Sequence, residues 1–178
     1  MKGTWVCLGL ALGLVIGCGR VTKGDARALV TRYNEVVSEA YRTGDIRVID
    51  AVVGPNTPDG QRLTGLVGVR QDMGLALDAH LVSLDVLDVA QTRDTLQVHT
   101  RETWRYRDVQ AATGRQVGEA STDRYEMTYV FKRFNRVWMV DETRFAAPPE
   151  VGRKTTPWQI NARDAHSMAG PAEQGGKP

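Results

Sequence analysis

Tyr125-Glu126-Met127-Thr128-Tyr129-Val130-Phe131-Lys132-Arg133-Phe134-Asn135-Arg136-Val137-Trp138-Met139-Val140-Asp141 is the stretch on which the fold turns. Tyr125, Met127, Tyr129 and Phe131 alternate with Arg124, Glu126, Thr128 and Lys132, the period of two that a strand with one buried face requires. Asn135-Arg136 reads as a two-residue hairpin turn, because Asn tolerates the positive φ that tight hairpins need. A second strand then covers Val137 to Phe145. A two-residue turn sets Trp138 opposite Arg133 and Val140 opposite Phe131, which puts Asp141 on the face away from Tyr129.

Working back from this hairpin, the third strand begins near Ala120, and Asp108 to Val117, with Thr113-Gly114, reads as the reversing loop before it. Thr95 to Arg107 is the second strand. It places Leu96, Val98, Thr100, Glu102, Trp104 and Tyr106 on one face and His99, Arg101, Thr103, Arg105 and Arg107 on the other. His80 to Thr92 is the first. Before the strands the period is helical: Leu29, Val30, Tyr33, Val36, Val37, Ala40 and Tyr41 recur three and four apart between Asp25 and Arg42, as one face of a helix demands. Thr22 with Asp25 makes a capping box and Gly44 a stop. A short helix follows over Ile46 to Val53, then a break at Gly54 to Gly60, then a third helix from Leu63 to Ala79, although Gly65, Gly68 and Gly74 each cost about 1 kcal/mol there. Helices followed by a four-stranded antiparallel meander make an α+β domain.

The chain opens on Met1-Lys2 and an uncharged apolar run from Trp5 to Gly17, the layout of an export signal. The run falls short of the roughly 20 apolar residues a bilayer-spanning helix needs. Val15-Ile16-Gly17-Cys18 resembles the bacterial lipobox. A thiol is the nucleophile that accepts diacylglycerol, and Gly17 leaves the peptidase room at the bond before Cys18. Cys7 leaves with the signal, so mature Cys18 has no cysteine to pair with, and lipidation, with a palmitate-type acyl group among its chains, gives it a use. Each buried methylene contributes about 0.8 kcal/mol, so three acyl chains hold the protein firmly on a membrane. The implied address is the bacterial cell envelope, with the outer membrane favoured in a Gram-negative host by Gly19 in place of Asp.

The 178 residues carry a formal charge of +2, and loss of Lys2 with the signal leaves 22 basic against 21 acidic residues. That balance gives no pull toward nucleic acid. The organisation read from the sequence is a signal over residues 1–17, a lipidated linker over 18–24, a domain over 25–145 and a polar tail over 146–178. The tail has Trp158 and Ile160 as its sizeable apolar side chains and too few others to offset the entropy of ordering.

Helices ahead of a meander whose last hairpin ends in Trp138-Met139-Val140-Asp141, preceded by the Glu102-Thr103-Trp104 strand, resemble the NTF2-like (SnoaL-like) superfamily, and within it the IMS-type members. The resemblance covers about Asp25 to Phe145. It implies a cone in which the sheet curls around the first helix and leaves a pocket at the wide end. Enzymes of that superfamily place an acid or base among pocket aromatics, where burial raises a carboxyl pKa toward neutrality.

Glu102 is the carboxylate to test for that role, lying between Thr100 and Trp104 on the apolar strand face with Tyr33, Tyr41, Tyr106, Tyr125 and Tyr129 as candidate pocket neighbours. The alternative for Glu102 is a structural acid bonded to tyrosine hydroxyls or to arginine. His80, His99 and His166 are dispersed with no Cys or paired carboxylate at ligand spacing, so neither a metal nor a cofactor is expected. His99, Arg101, Arg105 and Arg107 read as a solvated outer face before they read as an anion-binding stripe. Two functions follow: a non-catalytic envelope domain that binds a protein partner or small apolar ligand, or an isomerase, cyclase or dehydratase with Glu102 as base.

Overall fold

Thr22 starts the first helix by exchanging bonds with Asp25: the Asp25 amide donates to Thr22 Oγ1 at 3.1 Å and the Thr22 amide to Asp25 Oδ2 at 3.0 Å. This reciprocal cap satisfies two of the donors a helix leaves orphaned at its N-terminus. In the computed structural model, which describes residues 20–148 and 150, helix α1 runs Lys23–Thr43 and ends at Gly44, whose φ of 76° suits a residue without Cβ. Its start takes in two residues assigned from sequence to the linker. Cys18 and most of the polar tail lie outside the described residues.

A short 3-10 helix, Ile46–Ala51, follows, and then α2 over Pro58–Asp72. The break expected over Gly54 to Gly60 shortens to residues 54–57, because Pro58 already opens α2. Val53 pairs in parallel with Val140, and the Gly54 amide donates to the Val140 carbonyl at 2.9 Å. A Cβ on Gly54 would collide with the Phe134 ring, so glycine permits this close approach.

The strands are β1 (Leu75–Gln91), β2 (Thr95–Gln110), β3 (Gln116–Phe134) and β4 (Val137–Phe145), paired antiparallel in chain order. The third helix expected over Leu63 to Ala79 is corrected at both ends. It begins at Pro58, capped by Thr57, and stops at Asp72, because Gly74 with φ 67° turns the chain into β1. Leu75-Ala76-Leu77-Asp78-Ala79 fits either period, and pairing with Tyr106 to Gln110 makes it strand. The loop expected over Asp108 to Val117 shrinks accordingly to residues 111–115.

The final hairpin has the expected register: Arg133 faces Trp138 and Phe131 faces Val140, across Asn135 (φ 50°) and Arg136 (φ 68°). Both turn residues are left-handed, a conformation that costs a β-carbon-bearing residue stability. Arg136→Gly is therefore expected to raise stability by about 0.5–1 kcal/mol, read as a higher urea midpoint with unchanged slope. Beyond Phe131 the ladder slips, Val130 facing Glu142. The extra residue, Asp141, turns outward to Lys132 Nζ at 2.9 Å. The slip brings Thr143 rather than Glu142 opposite Tyr129.

Pairing continues past the Phe145 boundary: the Ala146 amide donates to Glu126 and Glu150 forms a bridge with Arg124. One core fills the space between α1 and the sheet, with Val30, Tyr33, Leu63, Leu77, Leu96, Val98, Phe131 and Val140 each at 2% exposure or less.

Candidate functional site

Glu102 lies mid-strand on the inner face of β2, opposite Tyr125. Because alternate residues share a face, Thr100 and Trp104 flank it there. Its side chain is closed in by three donors: Thr100 Oγ1 at 2.8 Å and Tyr129 OH at 2.7 Å to Oε1, and Trp104 Nε1 at 2.7 Å to Oε2. Glu102 is 1% exposed. Burial pushes its carboxyl above the ordinary value of 4.5, against the opposing pull of these bonds from Tyr129, Trp104 and Thr100. Burial and the neighbouring Glu102 likewise push the Tyr129 hydroxyl well above 10.

Asn34, on α1, lies beside the same hydroxyl, its Oδ1 3.2 Å from Tyr129 OH. A hydroxyl has one proton and it serves the nearer Glu102. Asn34 also bonds toward Glu102 and, with the other donors, opposes the rise that burial imposes on that carboxyl.

A second carboxylate, missed in the sequence, is buried close by. Asp59, in the first turn of α2, is 1% exposed. It accepts from Tyr33 OH at 2.6 Å, Arg62 Nη2 at 2.6 Å and Thr143 Oγ1 at 2.7 Å. Burial and the adjacent Asp59 push the Tyr33 hydroxyl well above 10. The Tyr33 and Tyr129 rings meet edge to face at 5.5 Å, so the two polar clusters touch through their tyrosines. Proximity to Pro58 and Gly60 made the Asp59 region read as a chain break. The acidic first turn after Thr57-Pro58 was the signal present.

Of the candidate pocket residues, Tyr33, Glu102, Trp104, Tyr125 and Tyr129 are brought together, with Asn34, Met127 and Thr143 beside them. Tyr41 and Tyr106 are buried but do not line this space. Tyr41 lies two turns further along α1, where burial raises its hydroxyl to about 12. Tyr106 stacks on Trp104 at 5.8 Å. The space left among the lining residues is about 10 Å³, at the lower limit for one water. The wide pocket implied by the resemblance is therefore filled by the protein's own side chains.

Larger clefts lie outside the core. One of about 420 Å³ runs between α1 and β1, with Glu35, Glu39, Asp78 and His80 on its walls and Trp104 at its inner side. Trp104 thus separates this cleft from Glu102. On the outer sheet face Arg101 pairs with Glu126 at 2.7 Å and Arg107 with Asp78 at 2.5 Å, so the arginine row is largely neutralised. Among the described residues, no three His, Cys, Asp or Glu side chains gather as a metal site, and no helix is long and apolar enough to cross a membrane.

No family model and no curated protein matches the sequence. Solved structures do. The intermembrane space region of the chloroplast protein ARC6 superposes with a TM-score of 0.62 at 16% identity, over 73% of this chain and 100% of that one. A conserved protein from Planctomyces limnophilus gives 0.47 at 12% identity, over 67% of this chain and 94% of that one. A ketosteroid isomerase-like protein from Erwinia carotovora gives 0.38 at 17%, over 68% and 96%. The fold is NTF2-like. At these identities the likeness is one of fold alone. The interior holds three buried carboxylates, Glu102, Asp59 and Asp123, the last accepting from Tyr125 OH at 2.8 Å, and each is engaged by the protein's own donors.

Proposed function

We propose that this chain is a bacterial envelope lipoprotein, acylated at Cys18, whose NTF2-like domain is a non-catalytic binding module for a protein partner. The observation that carries the non-catalytic reading is the sealed Glu102: both oxygens hold donors and about 10 Å³ remains beside them. A base must reach the proton it abstracts, and a substrate has no room to approach this one. The same lack of space opposes a small apolar ligand in the core and leaves the surface clefts as contact sites. The alternative, an isomerase, cyclase or dehydratase using Glu102, draws support from its raised carboxyl pKa but requires Trp104 or Tyr129 to move aside.

The export-type leader and Val15-Ile16-Gly17-Cys18 support the envelope address. It accords with the similar solved domain being the intermembrane space region of a chloroplast protein. Gly19 after the cysteine supports the outer membrane if the host is Gram-negative.

Two measurements test the proposal. Metabolic acyl labelling is expected to mark the wild-type chain and not Cys18→Ala; label retained by the variant overturns the anchor. Crosslinking of the lipidated protein in cells is expected to join a defined partner to Glu35 or Glu39 at the α1–β1 cleft. The absence of any crosslinked partner overturns the binding role.

A further inference from the structure

Alternate turns of a meander share an end, so the reversal at residues 92–94 and the Asn135-Arg136 turn lie together. The start of α1 joins them there, the Val21 amide donating to Gln91 Oε1 at 2.6 Å. At this end a cleft of about 270 Å³ opens between α1 and the start of β4. Leu29, Val52, Phe131 and Trp138 supply its apolar lining, and Arg32 and Arg136 its charged rim. No carboxylate lines it, and neither rim arginine has an ion pair among the described residues. Arg133 stacks over the Trp138 ring at 4.6 Å, with its own Nε and Trp138 Nε1 lacking hydrogen-bond partners. Val137, beside Arg136, is 56% exposed.

Two free guanidinium groups over an apolar floor complement an anionic head on an apolar body, and the planar fork of arginine suits phosphate oxygens. We propose that this cleft takes the phosphate headgroup of an anionic membrane lipid. The assignment rests on the lipoprotein reading, which fixes where the cleft lies. From Cys18 to Val21 the chain spans at most about 11 Å, so an acylated Cys18 holds this end against the bilayer. The turn at 92–94 adds Arg93 and Asp94, which cancel. The attraction is therefore local to the cleft rather than a property of the near-neutral whole.

The test uses the full-length gene product, purified in its mature lipidated form. It is placed in nanodiscs of phosphatidylcholine, of phosphatidylcholine with phosphatidylglycerol, and of phosphatidylcholine with added inorganic phosphate. Amide hydrogen exchange over residues 28–33 and 135–138 is expected to slow about tenfold with phosphatidylglycerol alone, in line with two basic side chains near an anionic surface. Arg32→Gln/Arg136→Gly, which relieves the turn rather than straining it, is expected to abolish that difference. Equal exchange in all three settings, protection that survives in the double variant, or equal protection by inorganic phosphate would each overturn the assignment. Intact mass reports acylation of Cys18 separately, so a missing anchor and an empty cleft give different results.

Discussion

Replacing Glu102 by alanine is expected to lower folding stability by about 4 kcal/mol or more, a large share of the 5–15 kcal/mol typical of a domain. The loss comes less from the carboxylate than from what it leaves behind. Thr100 Oγ1, Trp104 Nε1 and Tyr129 OH all donate to it, and each buried donor left unpaired costs about 1–3 kcal/mol. Glu102→Gln separates charge from geometry: its carbonyl can accept from Trp104 Nε1 while its NH2 faces the Thr100 and Tyr129 hydroxyls, which also accept, so it should cost about 1 kcal/mol.

The same pair of proteins tests the proton linkage. Glu102 keeps its proton to higher pH when folded than when unfolded, because burial raises its pKa. The native state therefore binds more protons between the two values, and stability falls as pH rises from about 4.5 to the raised native value. The wild type should show that fall in urea midpoints, and Glu102→Gln should lose this contribution. A loss under about 1 kcal/mol in the alanine variant would mean that water reaches the donors and the chamber is open.

Asp59→Ala is expected to cost about 3–5 kcal/mol, the range for breaking a buried ion pair from one side. Asp59 gathers Tyr33 from α1, Arg62 from α2 and Thr143 from β4, so its removal loosens three elements together. Thermal or urea unfolding measures the total. A double-mutant cycle with Thr143→Val isolates the link across 84 residues of sequence. Coupling near zero would show that the two side chains act independently. Tyr33→Phe removes one donor and leaves the other bonds to Asp59, so it should cost about 1 kcal/mol.

These two carboxylates also mark what could be read in the sequence and what could not. Glu102 stood out because period-two alternation put one acid between Thr100 and Trp104 on an otherwise apolar face. The last hairpin was legible for a similar reason: a two-residue turn leaves a single register. Asp59 did not stand out, because a Pro- and Gly-rich stretch signals where a chain bends and says nothing of what packs on the bend. Thr143 reaches Asp59 through the slip at Asp141, an irregularity that simple alternation cannot anticipate. Tyr41 and Tyr106 share the faces of Tyr33 and Glu102, yet sharing a face does not fix distance along it. Eight residues of helix put Tyr41 about 12 Å from Tyr33. Nor could patterning tell a filled cone from an empty one, since Tyr and Trp line both.

The shared end of the two hairpin turns sets a length scale. Under the proposed acylation of Cys18, that end would rest on the bilayer with the strands leading away from it. The 16 residues of β2 span at most about 50 Å, so the 111–115 loop would stand no further than that from the anchored end. A domain anchored in this way would reach something that neither membrane surface touches.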